Sequence, residues 1–117
     1  MSAIASVDDG KGNPIYKVLC KGAPEVIKKY LKDVPNGYDR CYLHYVKNGA
    51  RVLALAHKTL PKQSPESYTS ITIQEAETEL TFCGFIVSDC PLKAHTKKVM
   101  EELVKSTHEI KMITGDN

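Results

Sequence analysis

None of the apolar runs in this chain approaches the ~20 residues a helix needs to cross a bilayer, and its start lacks the charged, apolar and small-residue order of a secretory signal. Neither absence speaks about a longer parent chain, so membrane attachment elsewhere stays open. Cys20, Cys41, Cys83 and Cys90 make no C-x-x-C pair, and His44, His57, His95 and His108 stand at no zinc-like spacing from them or from each other. This argues against a zinc module and a secreted disulfide scaffold, and reduced, mostly packed thiols are expected, as on a cytosolic face. Internal repeats and low-complexity tracts are also missing. No aromatic platform interleaves with the lysines, which counts against nucleic acid as a ligand.

What is present suits one globular core: 117 residues, 42% apolar and 26% charged. The net charge of +2 conceals an asymmetry, since residues 1–60 hold ten Lys/Arg against five Asp/Glu, whereas residues 61–117 hold six against nine. The first half prefers anions. On charge alone, solvated surface on both halves is the simpler reading.

Residues 2–7 and 15–20 read as strands joined by Asp8-Asp9-Gly10-Lys11-Gly12-Asn13-Pro14, which predicts a hairpin. Gly22 frees the backbone to turn, Pro24 suits a first helical turn beside Glu25, and Val26, Ile27, Tyr30 and Leu31 form one apolar face to about residue 32. A second helix is predicted from about Asp39 to Asn48, with Cys41, Tyr42, Tyr45 and Val46 inward and Gly49 as its stop. Arg51-Val52-Leu53-Ala54-Leu55-Ala56 is continuous enough to be a buried strand. Residues 64–79 begin like a helix at Ser64-Pro65-Glu66 but contain the β-branched run Ile71-Thr72-Ile73.

Residues 80–87 form a strand, and Ser88 or Asp89 can cap a helix to about Ser106 that buries Leu92, Thr96, Val99, Met100 and Leu103. Residues 109–114 make a last strand. Strand, helix and strand predict a right-handed βαβ crossover unlike the hairpin-bearing part, with a boundary near Ser88 to Pro91. The fold class is α/β in two parts. A parallel strand ending in Thr114-Gly115-Asp116-Asn117 requires partner strands, so the chain reads as a piece of something larger.

Three places carry candidate chemistry, each with a plainer alternative. Lys21-Gly22-Ala23-Pro24-Glu25 sets a point charge and an unobstructed backbone beside a helix start, as at a nucleotide pocket, or is simply a turn with a solvated lysine. Arg51 opens an apolar strand, so it either emerges at the sheet edge or meets a fixed anion. Thr114, Gly115 and Asp116 offer a hydroxyl, an open amide and an oxygen ligand at a strand end, which suits a phosphoryl group with Mg²⁺ nearby or an ordinary Gly-Asp turn.

Taken in order, K-G-A-P-E at 21–25, R-V-L-A-L-A at 51–56, F-C-G-F-I-V-S-D-C-P-L-K at 82–93 and M-I-T-G-D-N at 112–117 resemble the P-type ATPases over essentially the whole chain. The resemblance is closest to type V, subtype A, the endoplasmic-reticulum branch, because Asp89-Cys90-Pro91-Leu92-Lys93 stands where ion pumps usually show Asp-Pro-Pro-Arg. It implies that residues 1–88 are the later part of an α+β nucleotide-binding domain with a mainly antiparallel sheet and flanking helices. Residues 89–117 would be the hinge and the first βαβ piece of a haloacid-dehalogenase-like Rossmannoid phosphorylation domain.

By the same resemblance Lys21 and Gly22 line the ATP pocket, Arg51 contacts the nucleotide, Asp89 and Lys93 sit at the hinge, and Thr114, Gly115 and Asp116 hold the γ-phosphate. Cys90 and Leu92 depart from the ion-pump pattern, and a lysine at 93 lacks the bidentate fork of arginine. The implied ligands are ATP and Mg²⁺, with most Mg²⁺ ligands outside this segment. The implied partners are the transmembrane, actuator and remaining phosphorylation domains of the parent chain, with no nucleic acid and no direct membrane contact. The implied location is the cytosolic face of the endoplasmic reticulum.

The family's D-K-T-G-T segment with its nucleophilic aspartate and its G-D-G-x-N-D metal motif are absent, so this segment alone is expected to hydrolyse no ATP and to bind it weakly. The intact parent would couple ATP hydrolysis, through an aspartyl-phosphate, to transport. A soluble haloacid-dehalogenase-like phosphohydrolase is a second reading that fits only the last thirty or so residues. A third is a non-catalytic module whose basic half meets acidic partners or nucleic acid.

Overall fold

The computed structural model describes residues 1–61, 64–89 and 91–113. The predicted hairpin forms from β1 (Ser2–Asp8) and β2 (Pro14–Gly22). Its loop is closed by two carboxylates: Asp8 Oδ1 accepts from the backbone N–H of Gly10 at 2.7 Å and of Gly12 at 3.1 Å, and Asp9 Oδ1 accepts from Lys11 and Asn13 at 2.7 and 3.1 Å. Gly10 and Gly12 take φ of +81° and +84°, which glycine adopts without a Cβ clash.

β3 (Arg51–Thr59) and β4 (Thr81–Ser88) extend the hairpin into one four-stranded antiparallel sheet in chain order. The mixed α/β class with an antiparallel sheet and flanking helices is as expected. β3, however, is covered on one face only: Val52, Ala54 and Ala56 are 8%, 0% and 2% exposed, whereas Leu53 is 40% exposed. The covered face is made of small residues, which lets helices sit close to the strand.

Those helices are short. α1 (Pro24–Ile27) continues as a 3₁₀ turn over Lys28–Tyr30, and α2 (Tyr38–Lys47) follows. α2 presents Tyr38, which is buried, and Tyr42 to the sheet, while Cys41, Tyr45 and Val46, expected inward, are exposed. Gly37 at φ +80° begins the helix one residue earlier than predicted, which adds Tyr38 to the face of Tyr42 and Tyr45, and only the first turns of that face are covered. Among the described residues two buried clusters result, one of Cys20, Ile27, Tyr38, Ala54, Ala56 and Leu80, the other of Val18, Leu60, Tyr68 and Ala76.

Residues 65–76 are not one helix but a 3₁₀ stretch, Pro65–Ser70, and a single turn, α3 (Ile73–Ala76). The β-branched run interrupts it, and Thr72 serves as an N-cap in a capping box with Glu75. Lys58 donates from its ammonium to the carbonyls of Glu75 and Thr78, tying this turn to β3.

β4 contains a bulge opposite Leu55 and Ala56, where Leu55 pairs with Gly84 and Ala56 with Phe82. The extra residue puts Phe82 and Phe85 on the same side, although simple alternation would separate them. Both rings meet Tyr38, with centroids 5.0 and 4.8 Å away.

α4 (Thr96–Lys105) starts later than expected, after Pro91, and buries no side chain; Val99, Met100 and Leu103 are 49%, 42% and 37% exposed. Among the described residues 109–113 no strand forms, so β4 and α4 do not complete a βαβ crossover there. β4 is the edge strand of the antiparallel sheet, and among the described residues nothing after α4 pairs with its open side.

Candidate functional site

Backbone pairing decides which candidate residues can act together. Lys21 lies opposite Leu55 and Gly22 opposite Ala54, while Arg51 lies opposite Ser88. Residues directly opposite each other share a sheet face, and alternate residues along a strand do too. Lys21, Leu55, Leu53 and Arg51 therefore occupy one face, and the core residues Cys20, Ala54 and Ala56 occupy the other with α1 and α2. The two cations share the face on which no described helix packs. Strand geometry separates their Cα atoms by about 14 Å, within mutual reach of two long side chains and one extended ligand.

Between and beside them the surface is apolar. Leu19, Leu53 and Ile86 are 45%, 40% and 47% exposed. A hollow of about 210 Å³ is lined by Met1, Ala3, Leu19, Lys21 and Leu55, among others. Leucines flanked by two cations suit a ligand with a flat apolar part and an anionic part. The sequence pattern alone makes Leu53 and Leu55 strand core; the pairing of Lys21 with Leu55 shows which side of the strand they occupy.

Gly22 has a different environment from the one expected. A Cβ there would stand 3.3 Å from Ile27 Cδ1, on the helix-covered side, so the glycine makes room for α1. Its backbone still ends the strand that carries Lys21.

Asp89 directly follows Ser88, the partner of Arg51, and so lies at the same end of the sheet as Lys21, Gly22 and Arg51. Lys93 is exposed in the non-helical stretch before α4. Thr114, Gly115 and Asp116 lie outside the described residues. Among the described residues no group of three or more His, Cys, Asp or Glu side chains could hold a metal ion, so no Mg²⁺ ligands are assigned here.

The turn behind Lys21 is held by a buried hydrogen bond that sequence reading missed: the Tyr38 hydroxyl donates to the Pro24 carbonyl at 2.9 Å. Burial, then the neighbouring Tyr42, Asp39 and Glu25, push the Tyr38 pKa up to about 12, so it remains a donor at neutral pH. The i, i+4 spacing of Tyr38 and Tyr42 was the available signal. Of the described thiols Cys20 is buried, with its pKa raised by burial first and Glu77 second, whereas Cys41 and Cys83 are exposed, contrary to the expectation of mostly packed cysteines. No helix among the described residues is long and apolar enough to cross a membrane.

No protein-family model matches the chain. It is 45% identical over 97 residues, 83% of its length, to the endoplasmic reticulum transmembrane helix translocase of Saccharomyces cerevisiae. It is 43% identical over 101 residues, 86% of its length, to the probable manganese-transporting ATPase PDR2 of Arabidopsis thaliana, and 36% identical over its whole length to the probable cation-transporting ATPase 13A5 of Homo sapiens. The chain spans 8%, 9% and 10% of these relatives' own lengths. Similarity is thus not confined to the last thirty residues, as the soluble-phosphohydrolase reading would have it, and the chain belongs to the P-type ATPase family.

Proposed function

We propose that residues 1–88 are part of the ATP-binding domain of a transport ATPase and that residues 89–117 carry its hinge and the start of its phosphorylation domain. The observation that carries this reading is the placement of Lys21 and Arg51 on one uncovered sheet face, with Leu53 and Leu55 between them. The leucines would take the base, and the two cations the phosphates or ribose, where desolvated charge-assisted hydrogen bonds are strongest. Asp89 and Lys93 would lie at the hinge, and Thr114, Gly115 and Asp116 would receive the γ-phosphate with Mg²⁺ held mostly by residues outside this segment.

In the intact enzyme, phosphoryl transfer to an aspartate would depend on positioning and charge neutralisation, and would drive transport across or within a membrane. The name of the yeast relative supports the endoplasmic reticulum as its location, with this segment on the cytosolic face. The remaining domains of the parent chain are its partners.

The test is ATP dependence in the full-length ATPase. Lys21→Ala and Arg51→Ala should each raise the KM for ATP by roughly ten-fold or more, the loss of one charge-assisted contact. Thr114→Ala should slow phosphoenzyme formation instead. An unchanged ATP dependence in both pocket variants removes the assignment.

A further inference from the structure

We propose that Tyr38 is a positioning residue for nucleotide binding: its hydroxyl sets the turn between β2 and α1 that follows Lys21, while its ring ties that turn to Phe82 and Phe85 of β4. This rests on the nucleotide reading of the Lys21 and Arg51 face.

Tyr38 is 3% exposed and its hydroxyl reaches the carbonyl of Pro24, the first residue of α1. The same carbonyl accepts the helical bond from the Lys28 N–H, so both of its lone pairs are engaged. Next along α1, Ile27 is seated against Gly22, where a Cβ would stand only 3.3 Å from its Cδ1. The hydroxyl therefore fixes where α1 begins, and α1 fixes the end of β2 one residue beyond Lys21.

On its other side the Tyr38 ring packs 5.0 Å from Phe82 and 4.8 Å from Phe85, centroid to centroid. β4 runs on from there to Ser88, opposite Arg51. One side chain thus touches both routes to the two cations. An apolar ring of the same size would fill the cluster equally well, and a buried hydroxyl is unfavourable without an acceptor, so the bond to Pro24 is what the oxygen contributes.

Tyr38→Phe removes that oxygen alone. In the full-length ATPase it should raise the KM for ATP roughly five-fold, the loss of one neutral hydrogen bond's worth of positioning, with kcat retained. KM is read on the folded fraction, so a lower yield of enzyme does not obscure it. Phe85→Leu, which loosens the same cluster but leaves the hydroxyl bond, should lower the melting temperature without an equal rise in KM. An unchanged KM in Tyr38→Phe, or an equal rise in Phe85→Leu, overturns the positioning role. Lys21→Ala and Arg51→Ala measured in parallel separate the two levels: if the KM for ATP is unchanged in both, the nucleotide reading itself falls and takes the inference with it.

Discussion

Gly22→Ala distinguishes two reasons for a glycine at the end of β2, close approach of a ligand and close approach of a helix. Gly22 does not have a positive φ, so alanine meets no backbone penalty there. Its methyl would stand 3.3 Å from Ile27 Cδ1 and 3.4 Å from Cγ1, and Ile27 is only 2% exposed, so the neighbour has little space to yield. Such overpacking costs about 1–3 kcal/mol, offset by about 0.4–1 kcal/mol because alanine restricts the unfolded chain. The net expectation is a loss of about 1 kcal/mol. Ile27→Val, which deletes Cδ1, should cost about 0.5–1.5 kcal/mol alone. Together the alanine methyl occupies the vacated volume, so the double variant should be more stable than the sum of the single losses by about 1 kcal/mol. Urea unfolding followed by circular dichroism measures all four proteins at equal m values. Strict additivity would refute the claim that residue 22 is small for the sake of Ile27.

Two further outcomes test the fold. Ala54→Leu, on the covered face at 0% exposure, should destabilise by about 1–3 kcal/mol, whereas Leu53→Ser, one residue away at 40% exposure, should stay within about 0.5 kcal/mol; equal losses in urea titrations would mean the two faces are misassigned. The Glu75 carboxyl is held below its ordinary value of 4.5, first by the Thr72 backbone N–H and then by the Thr72 hydroxyl, with Lys58 a smaller contributor. A depressed folded value gives stability that is present above the ordinary glutamate value and is lost as pH falls through the folded one, so Thr72→Ala, which removes the hydroxyl but keeps the backbone N–H, should shallow the acid limb of a pH titration of stability without abolishing it. Identical acid limbs in the two proteins would contradict it.

The parts of the fold that were legible in the sequence are those set by local chemistry. Asp-Asp-Gly-Lys-Gly-Asn-Pro specifies a hairpin turn because its carboxylates satisfy the loop amides and its glycines take positive φ. The strand and helix starts near Arg51 and Tyr38 were likewise close to their observed positions. What composition does not reveal is which side of an element is covered. In α2, Tyr38, Tyr42 and Tyr45 share one helix face at about 100° per residue, and which turn of that face is covered is not set by the periodicity. In β4, Phe82 and Phe85 read as opposite-facing until the bulge is known. The last strand depends on neighbours of its own, and no local pattern can supply them.

The same ambiguity explains why the candidate site was only half visible. In Arg51-Val52-Leu53-Ala54-Leu55-Ala56 the bulkiest apolar side chains are the leucines, and hydrophobicity alone would send them to the core. The structure reverses this, because α1 and α2 need alanines at 54 and 56 in order to approach the strand, and the leucines are left on the open face. The apolar surface between Lys21 and Arg51 leaves leucine area in water, which is unfavourable by about 25 cal/mol per Å². A ligand that stacks an apolar ring on Leu53 and delivers negative charge to both cations would offset that term and both charges' desolvation at once. The proposed nucleotide face thus follows from the packing demand on its opposite side: covering Ala54 and Ala56 with helices is what presents the leucines, and the strand register is what sets a cation at each end of them.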